Sequence, residues 1–249
     1  MIKYDFSNQT ALITGGTRGI GRAISEALLA AGARVVATYV SNEEAALEFR
    51  RVNGAHSDRI DLRKCDVADY EQVEALFKTL DGAYKDGIDI LVNNSGVRKD
   101  SVLAMMKVQD WHDVVNVNLS GTFNMCKFGV LTMMRKRYGR IINITSPCGD
   151  FGFAGQANYA ASKAGQVGLT RSLSKEVATR GITVNCVSPG FIGTDLIKDL
   201  PDNLRKQYLD QVPLKRFGNP EEVAACVLFL ASKEAAYVTG SVLEVTGGL

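Results

Sequence analysis

Short apolar runs alternate with longer stretches of helical periodicity along the whole chain. Seven of these runs are predicted to be β-strands, at 10–14, 34–39, 60–65, 88–93, 141–145, 183–188 and 242–246. Helices are predicted between them, at 19–31, 43–51, 70–84, 111–137, 158–180 and 220–231. This alternation indicates repeated βαβ units. It predicts an α/β fold of the Rossmann type with a doubly wound, seven-stranded parallel sheet.

No Pro-, Gly- or Ser-rich linker interrupts the alternation, so residues 1–249 are predicted to form a single domain. The third predicted strand carries Asp61, Arg63 and Lys64, which is typical of an edge strand protected against stray pairing. An outermost position for it predicts the strand order 3-2-1-4-5-6-7. The segment at about 190–218 is predicted to be a lid of short helices broken at Pro201, because loops of that length are usually binding elements.

Composition and charge are those of an ordinary globular protein. The chain is 46% hydrophobic, and 29 basic against 27 acidic residues give a net charge of +2, which is too small to indicate nucleic-acid binding. The five cysteines are scattered and suggest neither disulfides nor a metal site, so a reducing cytoplasm is expected. The start, MIKYDFSNQ, lacks the layout of a signal peptide, and the longest apolar run, 224–231, is too short to span a membrane.

A glycine-rich stretch, ALITGGTRGIG at 11–21, leaves the first predicted strand and opens the first predicted helix. Glycines allow a tight turn and close backbone approach to a ligand, and a helix N-terminus offers free N–H groups to a diphosphate. The stretch therefore predicts a dinucleotide site at Gly15, Gly16, Gly19 and Gly21. Because the spacing G-x-x-x-G-x-G differs from the commoner G-x-G-x-x-G, a plain tight turn is the alternative.

The end of the second predicted strand bears on the choice of dinucleotide. An NAD site usually places an acid there for the ribose 2′-hydroxyl, whereas an NADP site supplies a cation. The sequence reads ATYVSN at 37–42 without an acid, and Arg18 is a candidate partner for a 2′-phosphate. These features favour NADP(H), although Glu43 and Glu44 follow closely enough to leave NAD open.

Two aspartates follow the third predicted strand in the stretch DVADYEQ. Asp66 is a candidate acceptor for the adenine amino group of a dinucleotide. The alternative use of a carboxylate at this point is to cap the next helix, and Asp69 is the better candidate for that role.

Tyr159 and Lys163 are separated only by small side chains in the stretch YAASK. In a helix the two lie on one face with Cβ atoms about 6 Å apart. A phenol with a pKa near 10 is a poor acid at neutral pH, but a cation about 4 Å away at an effective dielectric of about 20 supplies roughly 4 kcal/mol in favour of the phenolate. The pair therefore predicts a general acid, and a solvated pair of helix neighbours is the alternative.

A series of motifs resembles those of the short-chain dehydrogenase/reductase family over nearly the whole chain. In order they are TGGTRGIG at 14–21, CDV at 65–67, NNSG at 93–96, NVNLSG at 116–121, NITS at 143–146, YAASK at 159–163 and SPGFIGTD at 188–195. One departure is Ser95, where the family more often has Ala in NNAG. Ser95 adds a hydroxyl close to the expected cofactor.

The resemblance implies a role for each matching residue. Tyr159 would donate the proton, Lys163 would hold the nicotinamide ribose and lower the tyrosine pKa, and Ser146 would hydrogen-bond the substrate carbonyl. Asn118 would support a water that restores the proton from solvent; without the resemblance it would be interpreted as a surface amide. The further cofactor-binding residues implied are Thr17, Arg18, Ile20, Asp66, Val67, Asn93, Gly96, Ile192 and Thr194.

Within the family, the stretches VRKDSVLAMM, GQANYAASKAG, VATRGITVN and VPLKRFGNPEEVA are similar to those of bacterial reductases of 3-oxoacyl thioesters. The resemblance implies an NADPH-dependent enzyme of fatty acid biosynthesis that acts on acyl carrier protein or acyl-CoA substrates and forms a homotetramer. An acetoacetyl-CoA reductase, another short-chain carbonyl reductase and a non-catalytic NADP-binding regulator are the alternatives.

The resemblance also implies that Arg137 and Arg180 dock the acidic carrier protein. Arg135, Lys136, Arg137 and Arg140 form a basic run at the end of a predicted helix, and such a patch would attract an anionic carrier. The alternative is that these cations only complement the helix dipole.

Overall fold

Parallel strands form one seven-stranded sheet in the computed structural model, which describes residues 4–84, 87–194 and 202–249. The strands are β1 (Thr10–Ile13), β2 (Arg34–Tyr39), β3 (Ile60–Lys64), β4 (Ile90–Asn93), β5 (Gly139–Ile144), β6 (Ile182–Pro189) and β7 (Val242–Val245). Their order is β3-β2-β1-β4-β5-β6-β7, which confirms the predicted order and the outer position of the charged strand. Strand ends differ from the predicted ones by one or two residues, as is usual at element boundaries.

Helices cover both faces of the sheet. Those in the described part of the chain are α1 (Gly19–Ala30), α2 (Glu43–Val52), α3 (Tyr70–Ala83), α4 (Val108–Val115), α5 (Gly121–Lys136), α6 (Cys148–Phe151), α7 (Ala157–Val177), α8 (Asp202–Gln211) and α9 (Pro220–Ala231). Local sequence determines where several of them begin. Asp69 caps α3 by accepting hydrogen bonds from two backbone N–H groups, and Asn219 and Glu222 form a capping box at α9.

Helices cover both faces of the sheet, and successive side chains of a strand point to opposite faces, so the central strands are buried on both sides. In β1, Ile13 packs with Leu28 and Val227 on the face of α1 and α9. Leu12, its neighbour, packs instead with Met125 on the face of α3 and α5. Burial on both faces explains why the central strands are apolar throughout rather than alternating.

The predicted helix at 111–137 is confirmed as a helical segment, but it begins at Val108 and contains a π turn that was not predicted. The chain forms α4, a π-helical turn at Asn116–Ser120, and then α5. The backbone carbonyl of Asn118 accepts hydrogen bonds from Thr122 Oγ1 at 2.7 Å and Gln166 Nε2 at 2.9 Å. Side chains therefore satisfy a carbonyl that a regular helix would use internally. Single π turns of this kind are frequent at functional sites.

The predicted helix at 158–180 ends earlier than expected. The α-helix α7 stops at Val177, and a 3₁₀ turn at Ala178–Arg180 follows it. Within the predicted lid, α8 confirms helical structure, whereas residues 195–201, which include the predicted break at Pro201, lie outside the described residues. No helix within 4–84, 87–194 and 202–249 has both the length and the apolar character needed to cross a membrane.

Candidate active site

The glycine-rich stretch forms a tight loop between β1 and α1 at the carboxyl edge of the sheet. Gly15 and Gly19 have φ angles of +61° and +52°, where side chains other than glycine are strained. A Cβ atom built on Gly21 would lie 2.2 Å from Gly15 O, and one built on Gly16 would lie 2.9 Å from Ser25 Oγ. The loop therefore requires glycine both for its backbone angles and for its close internal contacts.

The N-terminus of α1 fits the diphosphate of a dinucleotide. No side chain caps this end of the helix, so the first N–H groups, including those of Gly19, Ile20 and Gly21, have no partner within the helix. The side chain of Thr194 approaches from the turn after β6, since its Cγ2 atom lies 3.7 Å from a Cβ built on Gly19. The glycine residues leave the backbone of the loop accessible, and the first N–H groups of α1 have no partner in the helix. Together they form a cradle that can bind an anion.

Asn94, a residue that the sequence analysis did not single out, holds the loop in place. Its Nδ2 donates hydrogen bonds to Thr14 O at 2.9 Å and to Gly15 O at 3.3 Å. Asn93 points the other way, and its Nδ2 donates to Asn143 Oδ1 at 2.8 Å inside the core. Contact between Asn93 and a cofactor would therefore have to use its backbone. Successive side chains of a strand point to opposite faces of the sheet, so the adjacent positions of Asn93 and Asn94 at the end of β4 could have predicted that only one of them faces the glycine-rich loop.

The end of β2 carries no carboxylate. The strand stops at Tyr39, and Asn42 then caps α2 by accepting a hydrogen bond from Ala45 N at 2.9 Å. Glu43 and Glu44 belong to the first turn of α2, where the helix dipole stabilises them. Arg18 is exposed, and its guanidinium has no hydrogen-bond or ion-pair partner among the described residues.

Asp66 and Val67 follow β3 at the same edge. Asp66 Oδ1 accepts a hydrogen bond from Ala68 N at 2.9 Å, which fixes the carboxylate in a turn. Val67 is buried, and its carbonyl accepts a hydrogen bond from Asn124 Nδ2 at 2.9 Å. This turn is thereby tied to α5.

Lys163 lies inside the protein near the start of α7. Its Nζ donates hydrogen bonds to Ile144 O at 2.7 Å and to Gln166 Oε1 at 3.1 Å, and it lies 5.5 Å from the centre of the Tyr159 ring. Burial lowers the pKa of Lys163 to about 8, because desolvation penalises the charged form. Gly96 borders this group, since a Cβ built on it would lie 3.8 Å from Nζ.

The hydroxyl of Tyr159 meets that of Ser146, which follows β5. Burial raises the pKa of Tyr159 above its ordinary value, and the hydrogen bond with Ser146 acts in the opposite direction without cancelling this effect. Desolvation is thus the largest influence on this hydroxyl in the structure. The expectation that Lys163 lowers the tyrosine pKa stays a prediction. At neutral pH Tyr159 keeps its proton, as a proton donor must.

Ser146 is positioned by the short helix α6. Its Oγ accepts a hydrogen bond from Cys148 N at 3.3 Å. The hydroxyl proton therefore remains available to Tyr159 or to a substrate oxygen. The pair of hydroxyls forms a hydrogen-bonding site for one oxygen atom at the edge of the sheet.

Asn118 is fully buried rather than a surface amide. Its Oδ1 accepts a hydrogen bond from Val97 N at 2.8 Å, and its Nδ2 donates to Val97 O at 3.0 Å and Ser162 Oγ at 3.1 Å. Both ends of the amide are thus used within the protein. Any support that Asn118 gives to a water would have to come from its backbone carbonyl, which already accepts from Gln166.

Gln166 connects these groups, although the sequence analysis did not identify it. It accepts a hydrogen bond from Lys163 through Oε1 and donates to Asn118 O through Nε2. The signal in the sequence was its position, one turn after Lys163 on the same face of a helix.

Comparison with known proteins identifies the family. A sequence profile of the family described as enoyl-(acyl carrier protein) reductase matches residues 15–249. The 3-oxoacyl-[acyl-carrier-protein] reductase FabG of Vibrio harveyi is 47% identical over 98% of both chains, and that of Escherichia coli is 46% identical over the same share. The corresponding protein of Aquifex aeolicus is 43% identical over the whole of both chains.

The chain belongs to the short-chain dehydrogenase/reductase family. Members of this family are oxidoreductases that use a nicotinamide cofactor, so the protein is an enzyme of that class. The cradle at the start of α1 and the hydroxyl pair of Ser146 and Tyr159 lie at the carboxyl edge of the sheet, where ligands of doubly wound folds bind.

The basic run predicted to attract a carrier protein is not a single exposed patch. Arg135 forms an ion pair with Asp81, and Lys136 forms one with Asp89 at 2.7 Å. Arg140 is buried and donates hydrogen bonds to the backbone carbonyls of neighbouring segments. These three cations are thus engaged by partners distant in sequence.

Arg137 and Arg180 remain as candidates for docking. Arg137 ends α5 in the left-handed conformation, and its guanidinium donates a hydrogen bond to Thr179 O at 2.9 Å. Arg137 therefore contacts the segment that contains Arg180, and both arginines are exposed.

We expect the buried ammonium of Lys163 to make stability depend on pH. Its folded pKa of about 8 lies below the ordinary 10.5, so between these values the unfolded chain binds the extra proton and stability rises with pH. Relative to Lys163→Met, the wild type should gain up to about 3 kcal/mol from pH 8 to 10.5, most of it by about pH 9.5.

Urea unfolding of both proteins at a series of pH values measures this difference. Groups that titrate identically in the two proteins cancel in the comparison. A difference that stays constant across this range would contradict the assignment of a desolvated ammonium.

Proposed function

We propose that this enzyme reduces the keto group of a 3-oxoacyl thioester, carried on acyl carrier protein, to the 3-hydroxyacyl thioester with NADPH. The observation that carries the proposal is the buried ammonium of Lys163, which lies 5.5 Å from the centre of the Tyr159 ring and donates a hydrogen bond to Ile144 O at the end of β5, two residues before Ser146. The three relatives described above, which are named as 3-oxoacyl-[acyl-carrier-protein] reductases, support the choice of substrate.

The side chains of the site have separate tasks in this reaction. Bound NADPH supplies the hydride that reduces the keto carbon. Ser146 Oγ donates a hydrogen bond to the keto oxygen and stabilises the negative charge that develops there. Tyr159 transfers its phenolic proton to the same oxygen and completes the alcohol. Lys163, fixed by Ile144 and Gln166, holds the cofactor ribose and stabilises the phenolate that remains.

Reduction of an enoyl double bond is a second candidate, because the description of the matching family names it. That reaction adds hydride to a carbon–carbon double bond. The two hydroxyls of Ser146 and Tyr159 instead suit a ketone, whose reacting oxygen can accept both hydrogen bonds. Rates with 3-oxoacyl and enoyl thioesters of equal chain length separate the two reactions.

NADPH, rather than NADH, is proposed as the cofactor. The end of β2 offers no acid to a ribose 2′-hydroxyl, and Glu43 and Glu44 stabilise the start of α2 instead. Arg18 stands at the N-terminus of α1 with its guanidinium free among the described residues, where a 2′-phosphate would meet it.

We further propose a homotetramer in the cytoplasm, as commonly found in this family. Phe123 and Leu131 support an interface on α5, since their side chains are 48% and 56% exposed. Exposed apolar side chains mark a surface that a second subunit covers where they form one contiguous patch, and these two would contribute to such a patch on α5.

The first prediction from this proposal concerns Tyr159→Phe. This change keeps the ring and removes the acid, so we expect kcat with acetoacetyl thioester to fall by about 10²- to 10⁴-fold while the Kd for NADPH is unchanged. Absorbance of NADPH measures the rate, and calorimetry measures binding. Tyr237→Phe, at a fully exposed tyrosine, is the control. Near-normal turnover in Tyr159→Phe would reject the mechanism.

A second prediction addresses the 2′-phosphate. Arg18→Gln should weaken NADPH binding by about tenfold or more, because a charge-assisted hydrogen bond is lost, and should leave NADH binding unchanged. Arg22→Gln is a matched control, since Arg22 lies one turn further along α1 and is paired with Glu26 at 2.7 Å. Equal losses for both cofactors, or tighter binding of NADH by the wild type, would overturn the assignment.

A third prediction tests carrier docking. Arg137→Gln combined with Arg180→Gln should raise KM for carrier-bound acetoacetate by about fivefold at low salt, and leave the KM for acetoacetyl-CoA unchanged. Arg135→Gln serves as the control on the same helix, because Asp81 already engages that cation. A similar loss on both substrates would argue against docking at these arginines.

A further inference from the structure

Four aromatic rings form a row across the carboxyl edge of the sheet. Phe151 and Phe153 are 5.6 Å apart between ring centres, and Phe153 and Phe191 are 6.2 Å apart. Phe191 stacks on Tyr208 with ring centres 4.5 Å apart and an angle of 13° between the rings. The row therefore joins three separate segments of the chain: the α6–α7 connection, the turn after β6, and α8.

The third ring, that of Phe191, belongs to the turn at 190–194, which carries the candidate cofactor residues Ile192 and Thr194. Backbone hydrogen bonds hold one side of this turn, from Gly193 N to Gly218 O at 2.8 Å and from Gly218 N to Phe191 O at 3.0 Å. Thr194 extends from the turn to the glycine-rich loop. The orientation of the turn therefore determines how Ile192 and Thr194 are presented to a bound dinucleotide.

The ring of Phe191 is the second attachment of this turn. Tyr208 of α8 lies nearly parallel to it, and the ring centre of Phe153 lies 6.2 Å from it at a tilted angle. Phe153 is itself part of the connection between Ser146 and Tyr159, where its carbonyl accepts a hydrogen bond from Gln156 N at 3.1 Å. The aromatic row therefore links the turn near the cofactor to the loop that carries the candidate catalytic hydroxyls.

We propose that Tyr208 is a positioning residue, whose ring fixes the turn at 190–194 over the dinucleotide through its stack with Phe191. Phe153 supports the same ring from the side of the substrate. The inference rests on the proposed function, because it requires a dinucleotide against this turn. A ring that only stabilised α8 would have no effect on the affinity for the cofactor.

The test uses Tyr208→Leu and Tyr208→Phe in the full-length protein. Calorimetry should show that Tyr208→Leu weakens NADPH binding by about three- to tenfold, the range expected for loss of an aromatic pair. Tyr208→Phe keeps the ring and should restore the affinity of the wild type. KM for NADPH should follow the same pattern, while kcat at saturating NADPH changes by less than about twofold. Phe153→Leu should show a smaller loss in the same direction.

Tyr237→Leu is the matched control, because it removes a fully exposed tyrosine ring that stacks on no other ring in the described part of the chain. It should bind NADPH as the wild type does. Thermal unfolding of each variant shows whether the fold is retained. If Tyr208→Leu is too unstable to measure, Phe153→Leu against the wild type decides the matter.

Unchanged NADPH affinity in Tyr208→Leu would overturn the proposal, and so would an equal loss in Tyr208→Phe, since the ring would then not be the cause. Failure of the wild type to reduce any 3-oxoacyl thioester while it still binds NADPH would reject the proposed reaction alone. A wild type that binds neither NADPH nor NADH would reject both.

Discussion

The structure of the site depends on one buried charge. The ammonium of Lys163 has left water, and its hydrogen bonds to Ile144 O and Gln166 Oε1 replace only part of its hydration. These bonds connect α7 to β5, and Gln166 continues the connection to the π turn through Asn118 O. A buried charge tolerates little displacement of its partners, because each lost hydrogen bond leaves it uncompensated. The burial that makes the ammonium costly therefore requires contacts that fix three elements around it.

Behind this group, a chain of hydrogen bonds crosses the middle of the sheet. Asn93 donates to Asn143 at 2.8 Å, Asn143 donates to Thr170 at 2.8 Å, and Thr170 lies 3.1 Å from Cys186 Sγ. The chain passes from β4 to β5, to α7 and to β6, so it specifies the register of strands whose apolar faces alone would permit more than one arrangement. These polar contacts lie within the sheet behind the site, and the apolar core packs on both faces of the sheet. Both stabilise the carboxyl edge that carries the site.

Much of the fold followed from local sequence, whereas parts of the site did not. The alternation of apolar runs and helices predicted the sheet, and charges such as Asp61 predicted the edge strand. The π turn, by contrast, depends on a hydrogen bond from Gln166, which lies 48 residues from Asn118 and is invisible to local periodicity. The basic run at the end of α5 was misjudged for the same reason, since Asp81 engages Arg135 across 54 residues of sequence. Long-range partners, rather than composition, decide the state of a charge.

The effect of burial on the pKa of Tyr159 could not be predicted from local sequence. Helical spacing correctly brings Tyr159 and Lys163 together, but it cannot show that desolvation acts on both groups. Burial raises the pKa of Tyr159 and lowers the pKa of Lys163, so it disfavours the charged form of both groups. Burial thus keeps the phenol of Tyr159 protonated, which is the state that a proton donor needs before it meets a substrate.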